Sequence, residues 1–387
     1  MPEQFIHGIE HIELSDGLRP ISTVKSSVIG LIGTAPAADA AKFPYNTPVL
    51  IAGRRTAAGK LGASGTLPAA IDGIFDQCGA MVVVVRVEEA AQSTATQSNV
   101  IGGVDPATGR NKGIQCFLDA GSTVKARPRI LIAPGFSHKQ AVGAELLSVA
   151  ERLKAVCILD GPNTTDTAAI SYAENFGSAR AYVVDPWVKA WDASASAETT
   201  QPASPRVAGL IAKSDNERGF WWSPSNQEIL GITGTARPID FVMGDSNCAA
   251  NHLNENNVAT IIHQDGYRLW GNRTPAADAK FAFLCVRRTA DMVAESLLAA
   301  HLWAVDRGIT RTYMEDVRDG VDMYLRHLQK VGAILGGSCW VDREINTAEQ
   351  IMQGIVYWDY DFTPVYPAEH LTFRSHIVDD YLEEIFS

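Results

Sequence analysis

The chain has 387 residues, too many for one ordinary hydrophobic core, so two or three domains are expected. Hydrophobic residues make up 46% and charged residues 20%, the balance of a folded soluble protein. A net charge of −11 excludes a general nucleic-acid binder, which needs a basic face to meet phosphates, though not a local basic patch.

Residues 1–22 hold scattered apolar side chains with Gly8, Gly17 and Pro20 and read as extended. They lack the charged start and long apolar core of a signal peptide, and a protein made and kept in a cytoplasm is expected. SSVIGLIGTAP (26–36) and PVLIAG (48–53) read as buried strands. A helix over 63–79, stopped by Gly79, leads into the strand MVVVVRV (81–87). The next block alternates: strand 129–135, amphipathic helix 138–155 with Val142, Leu146, Val149 and Leu153 on one face, and strand 156–162. It continues with a helix over 164–177, capped by Thr164 or Asp166 and stopped by Gly177, and a strand over 180–186. Such alternation with short links predicts a parallel sheet with right-handed crossovers.

The Ala/Ser/Thr-rich segment 189–205 reads as a surface loop. A helix follows over 204–219 with Ser204 as its cap and Pro205 in its first turn. Residues 219–241 pass into a strand, and VATII (258–262) is apolar. KFAFLCVRRT (280–289) reads as a strand, and 289–308 and 312–332 as helices. In 355–367, Val356, Trp358, Tyr360 and Phe362 alternate onto one face. Residues 371–387 are extended or mixed, so both termini carry strand-like segments outside any evident core. The fold class is therefore α/β, or α+β overall.

Candidate chemistry is sparse. The six cysteines (78, 116, 157, 248, 285 and 339) are far apart, without C-x2-C spacing, and read as buried small apolar residues of a reducing compartment. GKLGASGT (59–66) lacks the order of a phosphate loop, there is no G-x-S-x-G elbow, and Ser64 and Thr66 have no nearby histidine to activate them. His7 and His11 do not form a firm metal spacing, and His301 reads as a packed core residue in an apolar helix. No cofactor, metal or catalytic set is expected. LDGPNTTD (159–166) sits at a strand end, where α/β enzymes bind ligands, so an enzyme with a pocket near Asp160 and Asn163 is the rival reading; helix capping is the simpler one. DGYRLWGNRT (265–274) concentrates Tyr267, Arg268, Trp270 and Arg273 without a nucleophile. Such residues are enriched where proteins meet proteins, which favours a junction or interface over catalysis.

SSVIGLIGTAP (26–36), RPRILIAPG (127–135), ILDGPN (158–163), NFGSARAYVVDP (175–186), SPSNQEILGITGTARPIDF (223–241), DGYRLWGNRT, HLWAVDRGITRTY (301–313) and QGIVYWDYDFTP (353–364) carry a resemblance. Through them the chain resembles the tail sheath proteins of contractile phage tails and of R-type pyocins, nearly end to end. The resemblance implies hexameric rings of this chain wound helically around a rigid inner tube. It implies a parallel α/β outer domain, an inner C-terminal α+β domain gripping the tube, and arms that add strands to neighbouring subunits. On that basis the expected division is an N-terminal arm over 1–22, an outer domain over 23–264, an inner domain over 265–367 and a C-terminal arm over 368–387. Phe5, Ile6, Ile9 and Ile12 would anchor one arm, and Leu371, Phe373, Ile377, Tyr381 and Leu382 the other. Val356, Trp358, Tyr360 and Phe362 would lie on the receiving sheet, and Arg287, Arg288, Asp291 and Glu295 would approach the tube. The implied partners are further copies of the chain, the tail tube, and the baseplate and tail terminator proteins, with no nucleic acid and no direct membrane contact. A particle assembled in the host bacterial cytoplasm is implied, either a phage or a pyocin-like bacteriocin. The sheath of a related injection machine shares the same physics.

Overall fold

The computed structural model describes residues 21–192, 196–379 and 381. β1 (Ile29–Thr34) is wholly buried, and β2 (Pro48–Ala52) follows it. A single turn, α1 (Arg55–Ala58), leads to α2 (Leu67–Phe75), with Pro68 in the first turn where a missing N–H is tolerated. Gly79 is not the left-handed stop expected for this helix, which ends at Asp76 in a right-handed conformation. The left-handed glycine here is Gly53 (φ 65°), and a Cβ on it would meet the Gly79 carbonyl oxygen at 3.2 Å. Gly53 and Gly79 let two loops approach each other closely.

β3 (Met81–Val87) is buried from its second residue onward. The stretch after it holds α3 (Ser93–Ile101), the short antiparallel pair β4 (Gly103–Val104) and β5 (Asn111–Lys112), and α4 (Ala120–Thr123). The expected alternation then appears as β6 (Ile130–Ile132), α5 (Gln140–Leu153), β7 (Val156–Asp160), α6 (Asp166–Ala173) and β8 (Ala181–Val184). Val142, Leu146 and Val149 of α5 are buried as the periodicity requires. The cap of α6 is Thr165, whose Oγ1 accepts from the Ala168 N–H at 3.2 Å, rather than Thr164 or Asp166.

The segment expected as a loop is instead a hairpin, β9 (Val188–Asp192) and β10 (Ala197–Gln201), joined on its other side by β11 (Gly234–Thr235). Thr199 and Thr200 suit a half-buried pleated surface, a preference that the small polar composition obscured. In α7 (Ser204–Glu217) the cap is Ala203, and Ser204 turns its hydroxyl to Asp160. α8 (Ala249–Glu255), β12 (Val258–His263) and β13 (Tyr267–Trp270) follow. Residues 280–289 are not a strand: α9 (Leu284–Ala300) starts within them. A short apolar run fits a buried strand and a buried helix equally well. His301 is the half-buried C-terminal cap of α9, its Nδ1 2.7 Å from the Leu297 carbonyl oxygen, and not a core residue within the helix. α10 (Arg311–Lys330), β14 (Ile334–Trp340), α11 (Ala348–Met352) and β15 (Asp359–Pro364) complete the order.

Eight strands form one sheet in the order β13-β12-β8-β7-β6-β1-β3-β2. β12, β8, β7, β6, β1 and β3 run parallel, and β13 and β2 close the edges antiparallel. Alternate residues feed opposite faces. Ile29, Leu31, Val82 and Val84 pack with α2 and α7, while Ile32, Val83 and Val85 pack with α5 and α6. A third cluster unites Phe220, Met292 and Val293 with Val321, Leu325, Leu328 and Ile334, so α9, α10 and β14 form a separate small core. The position expected to open the second domain, 265, lies instead in the turn before the last strand of the large sheet.

Candidate assembly surfaces

At the strand-end site of the rival enzyme reading, the polar groups of Asp160 and Asn163 are engaged within the fold, beside a small cleft lined by Thr66, Pro134, Gly135, Trp187 and Pro205. Asp160 has no exposed surface. Its carboxylate accepts from the Ser204 N–H (2.8 Å), the Ser204 hydroxyl (2.6 Å) and the Ser137 hydroxyl (2.8 Å), tying α7 to the ends of β6 and β7. Burial pushes its pKa up to about 6 against the pull of those three donors. Asn163 is a turn residue at φ 57°: its N–H donates to Asp185 at 2.8 Å and its side-chain oxygen accepts from the Trp187 N–H at 3.1 Å. Burial raises the Asp185 pKa, and the Arg237 guanidinium opposes that rise. These polar groups are spent on one another. Among the described residues no cluster of three or more His, Cys, Asp or Glu could hold a metal ion.

DGYRLWGNRT forms a hairpin turn and edge strand. Asp265 (φ 50°) and Gly266 (φ 99°) make the turn, and β13 pairs with β12. The outer edge of β13 is not open, because Asn226 N–H donates to the Leu269 carbonyl, Leu269 N–H to Gln227 and Ile229 N–H to Tyr267. The Tyr267 hydroxyl donates to the Thr233 carbonyl at 3.0 Å, and Trp270 meets Phe241 edge-on at 5.1 Å. Arg268 donates to the carbonyls of Gln264 (2.9 Å) and Asn226 (3.0 Å). Arg273 does find a carboxylate, Glu369 at 2.7 Å, and its guanidinium lies 5.1 Å from the Phe283 ring centre. The cluster is thus a seam within the chain, and Arg273 ties the C-terminal segment to it.

The residues expected to face a tube do not reach the surface. Arg288, Asp291 and Glu295 are buried, and Arg287 is mostly so. Arg288 pairs with Asp215, Asp291 with Arg180 (2.5 and 2.8 Å) and Arg287, and Glu295 with Arg129 (2.7 Å). Burial works against the Arg288 charge, but the Asp215 carboxylate more than offsets it, and the guanidinium pKa ends above its usual value. A helix start rich in charge reads as a solvated face from sequence; here, apart from the Arg287–Asp291 pair along the helix itself, the partners named lie 73 to 166 positions away along the chain, which spacing alone does not reveal.

β14 and β15 form a separate two-stranded antiparallel sheet. Trp358 and Phe362 pack onto the third cluster, Tyr360 stacks parallel to Phe362, and Val356 precedes the strand. Downstream, Leu371, Phe373 and Ile377 stand 66–102% exposed on a stretch without regular structure, and Tyr381 is 73% exposed. Phe5, Ile6, Ile9, Ile12 and Leu382 lie outside the described residues. A further surface went unread in the sequence: Leu298, Leu302 and Val305 are all more than 60% exposed. They flank a bend braced by the Tyr313 hydroxyl on the Ala304 carbonyl and by edge-on contact of Tyr313 with Trp303 and Trp358. The excess of aliphatic residues in 289–308 beyond one buried stripe was the available signal.

A small second core carrying a two-stranded sheet, together with exposed apolar segments, is the architecture of a structural subunit with surfaces for contact. Family models agree: the phage tail sheath protein central domain matches residues 110–275, the phage tail sheath C-terminal domain 276–378, and the tail sheath protein Gp18 domain III N-terminal region 26–87. The chain is 47% identical over 382 residues to a prophage major tail sheath protein of Pseudomonas aeruginosa (strain UCBPP-PA14), covering 98% of each. It is 39% identical to the tail sheath protein of Escherichia phage P2, covering 98% of this chain and 97% of the relative. The chain belongs to the tail sheath protein family of contractile phage tails. Its fold is also that of the anti-feeding prophage helical sheath in the contracted state, with a TM-score of 0.72 at 19% identity over 96% of this chain and 99% of the other. The sheath complex of an extracellular contractile injection system gives 0.71 at 18% identity, covering 98% of this chain and 99% of the other.

Proposed function

We propose that this sheath subunit polymerises as stacked hexameric rings around a tail tube, and that contraction of the resulting lattice drives the tube through a target cell envelope. The observation that carries the assembly reading is the two-stranded β14–β15 sheet, with apolar segments at hand to extend it. A strand added to a sheet edge satisfies unpaired backbone donors and acceptors, and exposed apolar residues supply the contact between copies. The proposed division keeps the arms as the lattice links, the large sheet domain outside and the third-cluster domain inside, against the tube. The braced bend at Leu298, Leu302 and Val305 replaces the buried charges of α9 as the surface proposed to meet neighbouring subunits or the tube. Baseplate and terminator proteins would cap the ends of the polymer. The phage or pyocin-like particle is favoured over another injection machine because the relatives named as phage and prophage sheaths are 39% and 47% identical. Assembly in the host bacterial cytoplasm belongs to the same reading.

The test is removal of residues 1–20 or 368–387. Each truncation is expected to leave a cooperatively unfolding subunit that forms no tubular polymer under negative-stain microscopy. Normal sheaths from either truncated chain would refute the role of the arms.

A further inference from the structure

Arg288, Asp291 and Glu295 lie at positions i, i+3 and i+7, on one face of α9, and all three are buried. That face meets fixed charges of the large domain in a set order: Asp215 at the end of α7, Arg180 just before β8 and Arg129 just before β6. Arg129 and Arg180 are themselves held, donating to the carbonyls of Leu153 (2.5 Å) and Ala155 (3.1 Å). The helix therefore presents plus, minus, minus to a body that presents minus, plus, plus.

A displacement of α9 by one turn breaks this match in either direction. Sliding one way brings Met292 to Asp215 and Ala299 to Arg129, leaving two buried charges without partners. Sliding the other way brings Arg287 or Arg288 against Arg180, and Leu284 or Cys285 against Asp215. An apolar helix face discriminates less sharply, because apolar cores tolerate repacking better than buried charges tolerate the loss of their partners. Buried ion pairs contribute little net stability against well-packed apolar residues, and their best-attested use is to fix register.

We infer that the buried charge row of α9 is a register key, setting where the second domain docks along the large sheet. α9 runs directly into Leu302, Val305 and α10, so its register sets the position of the apolar bend and of the β14–β15 sheet relative to the body. This inference does not depend on the proposed polymer, because it concerns one subunit.

The experiment measures the distance between spin labels, carried on unnatural amino acids at the exposed positions Leu298 and Val104, in the purified full-length subunit. The native chain should give one narrow distance. Replacing the charge row by apolar residues (Arg180→Met and Arg287→Met with Asp291→Leu, Arg288→Met with Asp215→Leu, Arg129→Met with Glu295→Leu) should keep cooperative folding. It should also broaden or split the distribution by about one helical pitch, roughly 5 Å. Should that chain not fold, Arg180→Glu decides: it sets like charges against Asp291 and should shift the distance, and adding Asp291→Arg with Arg287→Glu, which reverses every charge of the cluster, should restore it. An unchanged narrow distance in the apolar chain, or in Arg180→Glu alone, overturns the inference.

Discussion

Asp160 offers the sharpest quantitative test of how the two faces of the large sheet are held together. Its ordinary pKa of 3.8 rises to about 6 in the folded chain, so the folded state binds the proton more tightly than the unfolded state does. The associated stability is present in full below the unfolded value and is lost as pH rises through the folded one. About two pKa units correspond to roughly 3 kcal/mol. Asp160→Asn removes the titration while keeping an acceptor for the Ser204 N–H and placing an amide donor beside the Ser137 and Ser204 hydroxyls, which can turn to accept. Urea unfolding of both chains between pH 4 and pH 7.5 should then show the Asn chain gaining on the native one by about 3 kcal/mol as pH rises. Asp160→Ala deletes every acceptor and strands three buried donors, at about 1–3 kcal/mol each before relaxation. It should be less stable than Asp160→Asn at every pH. A constant difference between the native and Asn chains across this range would refute the reasoning, because the carboxylate would then not be paying for its burial.

Two further outcomes follow from the sheet edge and the exposed bend. Gly271 sits at φ 144°, and a Cβ there would lie 2.8 Å from the Ala259 Cα, so Gly271→Ala should cost about 2–4 kcal/mol in urea unfolding through backbone strain and overpacking. Leu302→Asp changes a side chain that is 76% exposed and should leave subunit unfolding within about 0.5 kcal/mol of native while reducing tubular polymer in sedimentation assays. Normal polymer yield from Leu302→Asp would remove the bend from the assembly surfaces.

The sequence by itself determined the parallel core. Runs such as RILIAPG and VCILD, separated by an amphipathic helix with its apolar residues at helical spacing, leave little choice but strands buried on both faces. It also carried the family, because the resembling motifs run through both domains. The hairpin β9–β10 was hidden because its strands are held by a ladder and by β11, some forty residues away, rather than by their own apolar pattern. LCVRR was ambiguous locally, since a short apolar run suits either kind of element. Only the tertiary structure decided what the charges of α9 do. Arg288, Asp291 and Glu295 resemble a solvated helix start until Asp215, Arg180 and Arg129 are brought to them from distant segments. The same holds for DGYRLWGNRT: its glycines mark a turn from sequence alone, but whether its arginines meet carbonyls or carboxylates depends on the fold around them. Periodicity reports which face of an element is apolar, whereas the partner of a buried polar group is set by long-range packing.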